Sequence, residues 1–167
     1  DYSVLTLNPY YLIEREKASL RLGFYSAFSF VTGRTFNPAP DIHAEWKILP
    51  KVMALYGGVG GDFNTVTFSR LRDENPWVTR SLRVKDTYTP FKPYLGVKVK
   101  PAHFLLLDGF AEFNSIKDQY FFVNNTQSIA NVLGNMVPVL GNQFDVVYSD
   151  ASLFRFGGRI AFQYKNQ

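Results

Sequence analysis

The chain has 167 residues, enough for one domain with a hydrophobic core, and carries a formal net charge of +4. It contains no cysteine, which excludes disulfides, thiolate metal sites and cysteine nucleophiles, and its lysines and arginines do not form the basic stripe that nucleic-acid binding uses. Aromatic residues make up 17% of the sequence, a composition that suits β-strands and membrane interfaces.

The first half of the chain alternates apolar and polar residues with the period of two that β-strands show. In the clearest segment, Leu20 and Leu22 fall on one face and Arg21 falls on the other. Segments of this kind cover residues 3–15, 19–30, 41–50 and 51–62. We therefore predict four strands here, the last of them Lys51–Asp62.

The fourth strand contains LYGGVGGDF, Leu55 to Phe63, with four glycines. A phosphate-binding loop would need a helix directly after the glycines and a Gly-Lys-Ser/Thr ending, and neither follows. We interpret the glycines as strand residues that leave space for bulky neighbours, such as Tyr56 or aromatic residues on adjacent strands, and that let the strand coil.

The second half of the chain continues the alternation without helical periodicity. The predicted strands are residues 90–101, 103–115, 142–150 and 152–165. The whole chain is thus expected to contain about eight strands and no helix.

Short and long connections alternate between these strands. The short ones lie at REKAS, LPKV, KPAH and YSDAS, and the long ones cover residues 32–40, 63–88 and 116–142. This asymmetry is typical of bacterial outer-membrane barrels, whose strands of about 9–11 residues cross the bilayer at a tilt. We predict an all-β fold, an antiparallel up-and-down transmembrane β-barrel in the bacterial outer membrane. Such a barrel is expected to take part in solute import or to serve as the barrel subunit of a surface complex.

The order of the connections places both ends of the predicted strand series on the side of the long connections. Complete single-chain barrels keep both ends on the other side. Residues 1–167 are therefore interpreted as an internal segment of a larger outer-membrane barrel. The alternative is a single β-barrel domain with an extra strand hidden in one of the long connections.

In such a barrel the apolar face meets outer-membrane lipid and the other face lines the lumen. The lumen-facing candidates are Arg21, His43, Glu45, Lys47, Lys92, Lys98, Lys100, Asp108, Glu112, Arg155 and Arg159. Two hypotheses apply to them. They pair across neighbouring strands and stabilise the wall, or they form a charged conduit that selects solutes, and both can hold together.

The long connection SRLRDENPWVTRSLRVKD supplies candidates for an extracellular loop. They are Arg70, Arg72, Asp73, Glu74 and Trp77. The segment either recognises a ligand or partner protein, or extends the barrel as a hairpin with Trp77 packed on its neighbour; we favour the second interpretation.

Catalytic and metal-binding patterns are missing from the sequence. Its two histidines, His43 and His103, fall on different predicted strands, and no Gly-x-Ser-x-Gly motif is present. We expect no enzyme activity, no metal and no cofactor.

The stretches LYGGVGGDFNTVTFSRLRDENPW, YLGVKVKP and SIKDQYFFVNN resemble the central barrel of TonB-dependent-receptor-like outer-membrane proteins, over about residues 40–125. The resemblance implies a large strand barrel, import of a small nutrient solute, and an energy-coupling protein or surface lipoprotein as partner. The sequence departs from the family by lacking a plug domain and an energy-coupling box.

A second interpretation fits the same alternation. In it the chain is a soluble or periplasmic eight-stranded barrel whose apolar face points inward around a hydrophobic ligand. Its lysine and arginine rows would then face water, whereas a lipid-facing apolar surface would place them inside.

Overall fold

Eight antiparallel strands and one short helix form the structure, a computed structural model that describes residues 3–30, 35–80, 82–130 and 134–162. The elements are β1 Val4–Leu7, β2 Tyr10–Glu14, β3 Ala18–Ser29, β4 Phe36–Leu49, β5 Met53–Asn64, α1 Phe68–Glu74, β6 Thr87–Ala102, β7 Leu105–Ala130 and β8 Met136–Phe162. The prediction of an all-β, up-and-down antiparallel fold with about eight strands is confirmed.

The strands form a single sheet in the order β1-β3-β4-β5-β6-β7-β8, with β2 also paired to β3. The turns after residues 14, 49 and 102 lie at one end of the sheet, called here the short-turn end. The strand ends that flank residues 30–35, 65–86 and 131–135 lie at the other end, called here the long-connection end. Among the described residues, β1 and β2 pair with no strand other than β3, and β8 pairs with no strand other than β7, so the sheet has two edges that no further strand covers.

Prolines lie where the strand boundaries of the first half differ from prediction. The first predicted strand divides into β1 and β2 at Asn8 and Pro9, because proline has no N–H to give to the ladder. Pro38 and Pro40, predicted to lie in a loop, belong to β4. They are tolerated there because β4 pairs with β5 only from Ile42 onward, so no ladder hydrogen bond toward β5 is lost.

The predicted turn at YSDAS is wrong. Asp150 and Ala151 lie within β8, and the irregularity falls on the facing strand, where the register shifts between Ile116 and Gln119 and Asp118 has a φ of 52°. An extra residue in one strand produces such a bulge without ending the other strand. Most of the predicted loop 116–142 is consequently strand.

Because β8 is one strand, its final residue Phe162 pairs with Leu105 at the short-turn end. The expectation that the last strand ends on the long-connection side is therefore wrong. The number of strands still agrees with prediction, since the division of the first predicted strand offsets the fusion of the last two.

The absence of helix was also predicted incorrectly. Thr67 caps the first turn of α1 by accepting a hydrogen bond from the Arg70 N–H, and Leu71 is the buried residue of the helix. Seven residues contain only two turns, too few to display a helical period within a charged loop.

The hydrophobic core lies entirely at the long-connection end. Its buried apolar members, among the described residues, are Ala27, Ala39, Val66, Leu71, Val78 and Tyr88. The connection that carries α1 packs over the long β7-β8 hairpin, where the Phe144 N–H donates to the Trp77 carbonyl at 3.0 Å and the Thr79 N–H donates to the Phe144 carbonyl at 2.9 Å. Toward the short turns, contacts between polar side chains stabilise the sheet in place of a buried apolar core.

The sheet bends at β5. Cα atoms of β4 and β6 approach within 8 Å, whereas strands two apart in a flat sheet lie about 9.5 Å apart. Between them, the Tyr94 ring lies over Gly58, and a Cβ at Gly58 would overlap the Ile42 carbonyl oxygen. The Tyr56 ring covers Gly96 in the same way. These contacts confirm the interpretation that the glycines accommodate bulky cross-strand neighbours.

Two glycines of the same strand provide a matched test of this packing. We expect Gly58→Ala to destabilise the fold by about 1–3 kcal/mol, the usual effect of overpacking. Gly60→Ala should change the free energy of unfolding by less than about 0.5 kcal/mol, because a Cβ at Gly60 has no atom within 4 Å. Denaturant unfolding followed by circular dichroism measures both, and equal effects would contradict the packing account.

Candidate functional site

Strand register divides the sheet into two faces of opposite character. The apolar face, as the term is used below, carries Leu22, Phe24, Ile42, Trp46, Leu95, Leu107, Phe113, Phe154, Phe156, Ile160 and Phe162. The exposed fractions of these residues range from 36% at Leu107 to 78% at Phe156. The apolar face therefore carries uncovered apolar side chains on β3, β4, β6, β7 and β8.

All eleven lumen-facing candidates lie together on the opposite face, called here the polar face. The ladders connect Arg21 with His43, Glu45 with Tyr56, Lys98 with Asp108, Asp108 with Arg159, and Glu112 with Arg155. A slip of one residue in any of these ladders would move a whole strand's charges to the apolar face.

Polar side chains meet across two strands where a glycine or a small residue lies between them. His43 Nδ1 lies 2.7 Å from the Tyr94 hydroxyl, above Gly58. The Tyr56 hydroxyl donates to Asp108 at 2.8 Å, above Gly96. The side chains that meet are all on the polar face, so the sheet bends toward it.

Ion pairs extend the network to both sides. Arg21 donates to Asp41 at 2.7 Å, and its guanidinium lies 4.2 Å from the centre of the Tyr10 ring. Lys98 lies 3.8 Å from Glu45 and 4.6 Å from the centre of the Tyr56 ring. The hypothesis that the predicted charges pair across neighbouring strands is thus supported at these positions.

Glu112 is the most enclosed charge of the polar face, with a side chain 10% exposed. Arg155 lies 2.6 Å from its carboxylate, Lys92 lies 3.8 Å away, and the Asn114 amide donates at 3.0 Å. Burial of a carboxylate is unfavourable unless cations and hydrogen-bond donors surround it, and here three groups do so.

Several residues of this network were not predicted as site residues. They are Asp41, Tyr56, Tyr94 and Asn114. The apolar/polar alternation of the sequence already places each of them on the polar face, and Asp41 begins the segment that contains His43. The residues with which they pair could not be predicted, because those partners depend on the register between strands.

Four of the predicted charges make no ion pair within the described ranges: Lys47, Lys100, Asp108 and Arg159. Asp108 instead accepts the hydrogen bond from Tyr56. The hypothesis of uniform charge pairing therefore does not extend to the short-turn end of the polar face.

The extracellular-loop candidates lie at the long-connection end, on and after α1. Arg70 pairs with Glu74 at 3.4 Å, and Asp73 is exposed on the same helix. Trp77 is 67% exposed and, with Arg72, borders a cavity of about 470 Å³. The predicted hairpin with a packed Trp77 is wrong, because the segment forms a helix and a single parallel bridge from Val78 to Phe144.

Neighbouring groups shift the pKa values of several residues at this end. Burial raises the pKa of Tyr120, and the hydrogen bond from its hydroxyl to Glu74 raises it further. Burial likewise raises the pKa of Tyr148, against the opposing influence of Lys85. The hydrogen bond from Lys117 lowers the pKa of Asp150, and the Asp118 N–H adds to the effect.

The two histidines are engaged separately, His43 with Tyr94 and His103 against the Phe104 ring at 5.3 Å between centroids. In the part of the chain that the structure describes, no three His, Asp or Glu side chains are grouped as metal ligands would be. No helix within the described ranges has the length and apolarity needed to cross a bilayer.

No protein family, curated protein or solved structure matches this chain. The two faces of the sheet are therefore the basis for a functional proposal.

The environment of Glu112 leads to a stability prediction. Glu112→Gln removes the charge that Arg155 and Lys92 share and should destabilise the fold by about 1.5–3 kcal/mol, the range for hydrogen bonds to charged groups. Asp150→Asn, which removes the charge of the exposed partner of Lys117, is the control and should have no measurable effect. Denaturant unfolding in neutral detergent compares them, and equal losses would show that enclosure of Glu112 is unimportant.

Proposed function

We propose that this chain forms the wall of a bacterial outer-membrane β-barrel that takes part in uptake of a small solute. The observation that carries the proposal is the combination of an uncovered apolar face with an opposite polar face that holds the charges and several ion pairs. Lipid would contact the first face and an aqueous lumen the second.

The apolar face argues for lipid on energetic grounds. Contiguous apolar patches on water-soluble monomers rarely exceed a few hundred Å². Here large apolar side chains such as Phe156, Ile160 and Phe162 are 65–78% exposed along a single strand, and neighbouring strands continue the surface. Each apolar Å² left in water costs about 25 cal/mol, a penalty that hydrocarbon removes.

The polar face supports the same arrangement. Transmembrane strands alternate apolar residues toward lipid with polar residues toward the lumen, and β3 to β8 have this alternation. The bend of the sheet toward the polar face is the curvature that a closed barrel with a polar interior needs.

The open edges define what else the proposal requires. Unpaired backbone N–H and C=O groups are not tolerated in hydrocarbon, so the edges at β1, β2 and β8 must pair with further strands. This requirement agrees with the interpretation of the chain as a segment of a larger barrel.

The proposed bilayer region comprises the parts of β3 to β8 on the short-turn side of the hydrophobic core. The hairpin beyond Asp118, together with α1, would then project outside the membrane, since it pairs with no strand other than its own partner. The resemblance to TonB-dependent-receptor-like barrels is the basis for nutrient import and for an energy-coupling protein or surface lipoprotein as partner.

Two adjacent residues of β8 test the orientation. Arg159 lies on the polar face and Ile160, 65% exposed, on the apolar face, and the native chain has no cysteine. Arg159→Cys and Ile160→Cys would each carry a spin label in lipid vesicles. We expect the label at 160 to collide mainly with oxygen, which concentrates in lipid, and the label at 159 mainly with a water-soluble nickel chelate.

The reverse pattern, or a chain that stays soluble with both labels reached by the chelate, would overturn the membrane proposal. A label at 160 protected from both reagents in the soluble protein would instead support the alternative, an eight-stranded barrel with its apolar face around a hydrophobic ligand.

A further inference from the structure

A cleft of about 450 Å³ opens at the short-turn end of the sheet, between the end of β4, the turn into β5 and the end of β6. Four lysines and one carboxylate border it: Lys47, Lys51, Lys98, Lys100 and Glu45. The ladder hydrogen bonds are made by backbone groups. They therefore do not explain why these charged side chains border the same cleft.

Local structure brings the lysines together. The ladders place Ala54 between Lys47 and Lys98, and this small side chain leaves the space above β5 open. The Lys100 N–H donates to the Val52 carbonyl at 2.6 Å, which holds Lys100 beside the turn. Lys51 is in that turn with a φ of 69°, a left-handed conformation unusual for lysine.

The charges of the cleft do not balance. Four positive charges face one negative charge, an excess of three. Glu45 lies 3.8 Å from Lys98, whereas Lys47, Lys51 and Lys100 make no ion pair within the described residues. Elsewhere on the polar face the enclosed carboxylate Glu112 has two cations beside it, so this excess is a local feature of the cleft.

We propose that the cleft binds a small oxyanion of the phosphate type from the aqueous phase. Each lysine ammonium offers up to three N–H donors and a full positive charge, and hydrogen bonds between ionised partners are about twice as strong as neutral ones. Bound phosphate oxygens would accept from Lys47 and Lys100 and offset the repulsion among the lysines.

The proposal that the cleft binds phosphate rests only on the geometry and charge of the cleft. If the proposed function also holds, the cleft lies at the short-turn mouth of the lumen, and the solute class is anionic. That assignment rests on the proposed function, whereas the binding of phosphate does not.

Calorimetric titration of the folded full chain with inorganic phosphate, in neutral maltoside detergent at low ionic strength, tests the proposal. The double variant Lys47→Gln/Lys100→Gln should raise the dissociation constant about tenfold or more, the equivalent of losing one to two charged hydrogen bonds. The control Lys85→Gln/Lys117→Gln removes the same charge from exposed lysines at the long-connection end and should leave affinity within about twofold.

We expect the Glu45→Gln variant to change the phosphate affinity in the direction opposite to that of the lysine variant. It removes the only negative charge of the cleft and frees Lys98, so phosphate should bind more tightly than to the native chain. A purely structural role of Glu45 would weaken binding instead. Absence of a binding heat in the native chain, equal losses in the two double variants, or weaker binding in Glu45→Gln would each overturn the proposal.

Circular dichroism of each variant establishes that it is folded before titration. The outcome is independent of the spin-label experiment in vesicles. If the chain binds phosphate but does not insert into lipid, the oxyanion site is supported and only the membrane proposal is refuted.

Discussion

The antiparallel backbone ladder is the constraint on which the rest of this structure depends. Successive side chains of a strand point to opposite faces, so the register of each strand pair decides which residues share a surface. In this sheet, the pairs from β3 to β8 keep all eleven lumen-facing candidates on one face and most of the large exposed aromatic and aliphatic residues on the other. Both the proposed lipid contact and the oxyanion cleft follow from that separation.

Glycines allow the sheet to bend. Tyr94 over Gly58 and Tyr56 over Gly96 fill positions where a side chain would otherwise stand, and their hydroxyls then reach His43 and Asp108. A glycine in a strand interior costs conformational entropy and contributes no packing of its own. Here the cross-strand aromatic rings recover that packing and join strands that are not adjacent, which couples the bend of the sheet to its polar network.

The two ends of the sheet are stabilised differently. Leu71, Val66 and Val78 bury apolar side chains at the long-connection end, as in a water-soluble domain. The short-turn end has charged contacts and an open basic cleft in place of such a core. An environment that supplies hydrocarbon on one face and water on the other would suit this second arrangement.

Much of the candidate site could be read from the chain, because the strand period is local. Alternation assigned Arg21, His43 and Glu112 to one face, and it also contained the unrecognised signal for Asp41 and Tyr94. The role of the glycines in LYGGVGGDF was equally accessible, since glycines followed by β-forming residues suit a strand and not a phosphate loop. Membrane insertion, solute uptake and the resemblance to TonB-dependent-receptor-like barrels stay predictions.

Tertiary structure decided the features that depend on distant residues. The polar YSDAS segment resembles a turn by composition, yet it continues β8 because β7 pairs with it on both sides of a bulge. Helix α1 forms where Leu71 is buried, and the partners of Arg21, Glu112 and Lys98 follow from inter-strand register. Sequence alone determined which side chains of one strand share a face, because the pleat has a local period of two. Which strands pair, where they end and which lysines converge depends on contacts between residues far apart in the chain.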